Sequence, residues 1–151
     1  MNKPPLGRKI PAYLAAGVEP AHNQAGYGLS HFAAVAGQVQ VMDGRYANLG
    51  IFERSSNVSR DDVTDGLSQT LVAGEIPEGF RPWGEPGNWR AIGERLCQVS
   101  EGFGNTEGTG ALFLRADGSV QFYSKSVSAD VLKRLGTRDG DDNRMIPERL
   151  R

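Results

Sequence analysis

The sequence predicts a single α+β domain with an antiparallel sheet, short helices and long Gly/Pro-rich loops. Three observations predict it. Glycine makes up 20 of 151 residues, about 13% against a usual share of roughly 7%, and the 8 prolines add further breaks, so elements are short and turns are many. Asp117-Gly118 lies between two apolar-rich runs, a strong short-range hairpin signal because glycine accepts the positive φ of a tight turn. Ser128 precedes Ala129, Val131, Leu132 and Leu135 at helical spacing, and Gly136 follows them. A chain this long suits one hydrophobic core, and its glycine content excludes a helical bundle.

The elements follow in order. Pro4, Pro5, Pro11, Pro20, Gly17, Gly26 and Gly28 leave room in the first thirty residues only for short extended pieces. Phe32 to Ala36 reads as a buried strand ending at Gly37. Val39-Gln40-Val41 alternates before the turn signal Asp43-Gly44, and Leu49 to Glu53 reads as a further strand. Ser59 with Asp62 three residues on is an N-cap arrangement with an acidic first turn, predicting one helical turn that ends near Gly66. Thr70 to Ile76 is a mostly buried strand stopped by Pro77. A Pro- and Gly-rich loop then runs to Asn88 and carries Phe80 and Trp83, with Trp89 just beyond.

Ala111 to Arg115 and Ser119 to Tyr123 are the two arms of the hairpin, with Asp117-Gly118 as its two-residue turn. Leu71, Val72, Leu112, Phe113, Leu114, Val120 and Phe122 are expected to build the core. Asp65-Gly66 and Asp117-Gly118 form the structural turn motif, and Gly74 is expected to shape a turn as well. The whole of 1–151 is read as one domain, with 1–9 and 139–151 as mobile tails.

Composition excludes several functions. Lys plus Arg is 17 and Asp plus Glu is 18, a formal net charge of −1, which lacks the basic excess that a dedicated nucleic-acid binder uses to neutralise phosphates. The single cysteine, Cys97, permits neither an internal disulfide nor a cysteine-based zinc site. No run approaches the roughly 18 consecutive apolar residues of a transmembrane helix. Ile10 to Val18 is mildly apolar behind a basic start, but Pro11 and Tyr13 interrupt it too early for a signal peptide.

The chemistry-bearing residues are few. His22 and His31 titrate near neutrality in the unperturbed state. Pairing either with Ser30, Ser68 or Ser100 makes no nucleophile elbow, because Gly28-Leu29-Ser30-His31-Phe32 has Phe32 where glycine is required. Asp61, Asp62, Asp65 and Glu75 are close in sequence, as glycosidase carboxylates could be, yet their spacing fits helix-start and turn chemistry equally well. Asp139, Asp141 and Asp142 alternate oxygen ligands as a calcium loop does, but Arg144 stands where such a loop needs glycine and Leu150 where it needs glutamate. Gly102 to Gly108 lacks the Gly-Lys-Ser/Thr ending of a phosphate loop. Trp83 and Trp89 are the candidate contact surface.

Several segments, in order, resemble one family. Asp62 to Glu75, read as DVTDGLSQTLVAGE, is similar to the DVTDGTSNTILVGE stretch of the DUF1559 proteins, which are pilin-like and abundant in planctomycetes. Asn105 to Val120 is similar to their H-X9-DG signature, and Leu132 to Gly140 resembles the closing LRALATRDGG. Ile10 to Leu14 and Ser30 to Gly37 resemble segments of the types IPTYLCPSDP and THYVGVAG. The resemblance spans roughly residues 10 to 140. Two positions depart from it: Glu107 stands where the signature has histidine, and Ala15 where a cysteine is expected. The prepilin cleavage motif and long apolar helix of the family have no counterpart, so the chain looks like the C-terminal globular portion.

The resemblance implies a pilin-like head whose sheet normally packs on an anchoring helix. The expected function is a non-enzymatic structural or protein-interaction module of a pseudopilin-like cell-envelope protein. Its partner is a protein or a second copy, with no nucleic acid and no cofactor. The rival is a carbohydrate-binding protein or glycosidase using Asp65, Glu75 or Glu107 beside the tryptophans. Calcium at Asp139, Asp141 and Asp142 is a third reading.

Overall fold

A computed structural model describes residues 5–37, 39–40, 46–47, 50–52, 57–98 and 102–140. The chain is α+β. Its strands are β1 (Leu29–Ser30), β2 (Phe32–Ala36), β3 (Val39–Gln40), β4 (Tyr46–Ala47), β5 (Leu71–Glu75), β6 (Arg81–Pro82), β7 (Trp89–Ala91), β8 (Gly110–Arg115) and β9 (Val120–Ser124), and its helix is α1 (Ala129–Leu135). A five-stranded sheet in the order β7-β2-β5-β8-β9 forms the centre, and β1-β6 and β3-β4 make two small ribbons. All neighbours in the large sheet are antiparallel except β2 and β7, which run parallel.

One face of that sheet carries the core. Ala33, Val35, Leu71, Ala111 and Phe113 point into a cluster closed by Ile76, Ile92, Leu96, Phe103, Leu132 and Leu135. Phe113 sits between Phe103, at 5.2 Å between ring centroids, and Tyr123, at 5.8 Å and edge-on. Such tilted geometries match the quadrupoles of aromatic rings. Between Leu71 and Ala73 the β5–β8 register shifts, so Val72 is an extra residue and both Leu71 and Gly74 turn inward.

Glycine at 74 is required by crowding, not by a turn. A Cβ there would lie 2.4 Å from Phe113 Cε1 and 2.7 Å from Phe103 Cδ1. This corrects the expectation that Gly74 shapes a turn. Gly66, by contrast, has φ +94, a conformation that costs other residues dearly, and its N–H closes a turn onto the Val63 carbonyl at 3.3 Å.

The hairpin stands where the sequence placed it, with a different turn. Gly118 N–H donates to the Arg115 carbonyl at 3.0 Å and Arg115 N–H to the Ser119 carbonyl at 2.8 Å. Ala116 and Asp117 therefore occupy the turn, and Gly118, at φ +87, is the left-handed residue that follows it. Asp117 Oδ1 accepts from Ser119 N–H at 2.8 Å and from its hydroxyl at 2.6 Å, holding the loop shut.

Helix α1 begins as expected: Val131 N–H donates to Ser128 Oγ at 3.4 Å. It ends at Gly136 with φ −80, an ordinary helical value, so glycine serves there for space beside Ile92 and not for a left-handed cap. The turn at Arg60–Asp62 is 3₁₀, with Ser59 N–H and Oγ–H both donating to Asp62 Oδ2 at 2.7 Å.

Residues 5–30 hold two 3₁₀ turns, Pro5–Gly7 and Pro11–Tyr13, each opened by a proline whose fixed φ suits that position. Described residues of the expected N-terminal tail are tied down: Gly28 N–H donates to the Leu6 carbonyl at 2.8 Å, and Trp83 Nε1–H to the Arg8 carbonyl at 2.9 Å. Gly50 to Phe52 form no strand, and the rest of the strand expected over Leu49 to Glu53 lies outside the described residues, as does the Asp43-Gly44 turn.

Candidate functional site

The strands alternate, so whatever does not face the core must face the other way. Pairing then aligns Trp89 of β7, Ala34 of β2, Ala73 of β5, Leu114 of β8 and Val120 of β9 in one row across all five strands. A second row follows it: Phe32 beside Glu75, and Leu112 beside Phe122. Nine positions in two rows contain one charged residue.

Five of these side chains remain open to solvent: Trp89 is 50% exposed, Leu112 41%, Leu114 38%, Val120 63% and Phe122 47%. Scattered exposed apolar residues are normal on a protein surface, whereas a contiguous patch marks a contact site. The exposure corrects the expected core. Leu71 and Phe113 are buried, Val72 is half-buried, and Leu112, Leu114, Val120 and Phe122 stand on the outer face. The physical reason is that Ala111, Leu112, Phe113 and Leu114 are all apolar, so hydrophobicity alone does not separate the two sides of the strand.

Glu75 is the one charge in these rows, and it is buried and bonded. Leu112 N–H donates to its Oε2 at 3.3 Å, and Gly104 N–H donates to its backbone carbonyl at 2.9 Å. A pocket of about 210 Å³ opens beside it, lined by Ala16, Val18, Glu75, Asn105, Thr106, Glu107, Leu112 and Phe122. Glu75 and Glu107 therefore share a lining. Asp65 belongs elsewhere: it accepts from Gly140 N–H at 2.8 Å and from Thr137 Oγ1 at 3.3 Å, fastening the segment after α1 to the 63–66 turn.

The tryptophans part company. Trp83 is half-buried, stacks on Tyr13 at 6.4 Å and holds the Arg8 carbonyl, so it packs the N-terminal segment. Trp89 ends the apolar row and offers half its surface. Neither lines the pocket of Glu75 and Glu107, so the carboxylates and tryptophans of the carbohydrate reading do not share that lining.

His31 is fully buried and structural. Ala15 N–H donates to its Nδ1 at 3.1 Å, which places the ring proton on Nε2, and Nε2–H donates to the Pro20 carbonyl at 3.0 Å. With Phe80 4.3 Å from its ring centre, it fastens the 15–20 loop to the sheet. His22 lies 3.3 Å from the Gly7 carbonyl and lines an open cleft of about 600 Å³ with Glu19, Glu78, Leu29 and Phe80 among others. Among the described residues no serine, threonine, cysteine or lysine lines that cleft, so His22 has no hydroxyl, thiol or amine there to activate, and the carboxylates in the lining are Glu19 and Glu78. Ser30, the nearest serine in sequence, is buried and donates to the Phe32 carbonyl at 2.7 Å.

Among the described residues two carboxyls are held below the ordinary value of 3.8. For Asp62 the cause is the Ser59 hydroxyl and then the Ser59 amide, and for Asp117 it is the Ser119 hydroxyl and then the Ser119 amide. Both are fully exposed caps of turns. Asp139 accepts from Thr64 Oγ1 at 3.0 Å, and Asp141 and Asp142 lie outside the described residues. Among the described residues no three acidic, histidine or cysteine side chains come together as a metal site, and no helix is long and apolar enough to cross a membrane.

The outer sheet face had a partial signal in the sequence. Two adjacent strands with apolar residues at every position from 111 to 114 and again at 120 and 122 can bury only one side against a small core. Comparison of the chain with family models, with curated proteins and with solved structures finds no match.

Proposed function

We propose that the protein is a non-enzymatic structural or protein-interaction module, resembling the globular part of a pseudopilin-like cell-envelope protein, that docks on another chain through the outer face of its five-stranded sheet. The single observation that carries this reading is the apolar row from Trp89 to Val120, continued by Leu112 and Phe122. In a pilin-like head a sheet face of this kind packs on an anchoring helix, and a partner chain or a second copy can supply the same cover.

Magnitudes set the strength to expect. The five open side chains are each roughly half covered already, so completing their burial contributes on the order of 1 kcal/mol apiece. Together they reach roughly the lower end of the ~4–15 kcal/mol that association costs in lost freedom. Docking through the face alone is therefore weak and concentration-dependent.

The test is Leu112→Ser combined with Leu114→Ser. Both side chains point away from Phe113 and the core, so circular dichroism and the melting temperature stay close to the parent's. Association measured by sedimentation at high concentration falls away. A variant that folds and associates like the parent overturns the role given to this face.

A further inference from the structure

The outer face runs out to β9, and β9 is an open edge. Sheet edges are ordinarily guarded by charge, proline, a bulge or brevity. The opposite edge, β7, is three residues long with Arg90 at its centre. β9 is Val120-Gln121-Phe122-Tyr123-Ser124, with no charge and no proline, and it pairs with β8 without a register break at five successive positions.

The hydrogen-bond pattern says which groups face outward. Arg115 N–H donates to the Ser119 carbonyl at 2.8 Å, and Lys125 N–H to the Thr109 carbonyl at 2.9 Å. Odd-numbered residues of β9 thus turn their backbone toward β8, and Val120, Phe122 and Ser124 turn theirs to the open side. The Ser124 carbonyl is engaged, accepting from Val127 N–H at 2.9 Å. The outward donors and acceptors centre on Val120 and Phe122, on either side of Gln121.

We propose that two copies of the chain pair antiparallel through β9, with Gln121 on the two-fold axis, extending the five-stranded sheet into one continuous sheet. In this register Val120 of each copy lies opposite Phe122 of the other, so the apolar rows join. The same register sets the Asp117 end of one strand against Lys125 of the other, twice over. Asp117 and Lys125 are both exposed and of opposite charge, so the ends attract where the reverse, parallel pairing sets like charges together. The proposal rests on the interaction reading above and adds the edge and the register.

The register has a direct test. Gln121 faces its own copy as a non-hydrogen-bonded pair, where Cα atoms lie about 4.5 Å apart, within disulfide reach. Gln121→Cys is expected to form a covalent dimer in a buffer of reduced and oxidised glutathione, the oxidised form taking up the two electrons and leaving as two reduced molecules. Ser119→Cys, equally exposed, is expected not to, because its two copies would sit four strand positions, ~13 Å, from each other. Cys97 is present in both variants and cancels from the comparison. Val120→Lys is expected to weaken association about tenfold or more by charging the edge while leaving Phe113 and Tyr123 in place.

Trapping at 121 and not at 119 supports the register. Equal trapping at both, or none at 121, overturns it. If the parent associates, Leu112→Ser with Leu114→Ser abolishes that association and Gln121→Cys does not trap, the edge pairing falls while the interaction reading stands. If Gln121→Cys traps and the two serine substitutions change nothing, the edge pairing holds and the sheet-face reading falls.

Discussion

Gly74 shows how a single atom is excluded. Phe113 and Phe103 fill the space that a Cβ would need, at 2.4 and 2.7 Å, and both rings are fully buried with no flexible end to give way. Gly74→Ala is expected to destabilise the fold by about 1–3 kcal/mol, the usual cost of overpacking, read as a lower urea midpoint at unchanged slope. An unchanged midpoint contradicts the packing described for this strand. His31 makes the complementary point: a titratable side chain in a small, Gly-rich protein is spent on holding a loop, since both ring nitrogens are bonded to backbone. Nothing in the local sequence distinguishes such a histidine from a catalytic one, because its partners, Ala15 and Pro20, approach from another segment.

At the scale of elements, the hairpin, the central strands β2 and β5, and helix α1 were legible because each carries a local signal: a turn glycine, an apolar run stopped by Gly or Pro, a serine cap. β1, β6 and β7 were not legible. They are two or three residues long, and their partners lie far along the chain, so their pairing follows from the tertiary fold and not from any local pattern. The hairpin turn sits one residue earlier than the sequence predicts, since Asp117-Gly118 fits either the centre of a tight turn or its final, left-handed position. The Asp117 cap makes a pH prediction. Its folded carboxyl titrates below 3.8 because Ser119 donates to the ionised form. Its contribution is therefore complete above the unfolded value and is lost as pH falls through the folded one. The melting-temperature gap between the parent and Asp117→Ala is expected to be widest above about pH 5 and to narrow below about pH 3. A gap that stays constant or widens on acidification contradicts the cap.

At the scale of the molecule, one sheet has two apolar faces and one core. The buried side is closed by α1 and the loops around Ile76, Ile92 and Phe103, while the other side presents Trp89, Leu112, Leu114, Val120 and Phe122. Composition made the sheet foreseeable but not the side that would be covered, because apolar residues fill both sides of β8. That ambiguity is the physical source of the proposed function, in which another chain covers the apolar surface that the core does not absorb. The measurement that tests this most directly is the solution mass of the parent chain by light scattering across a dilution series. The expected result is a mass that rises above 16.3 kDa with concentration and returns to it on dilution. A compact monomer at every concentration would contradict docking through the sheet face.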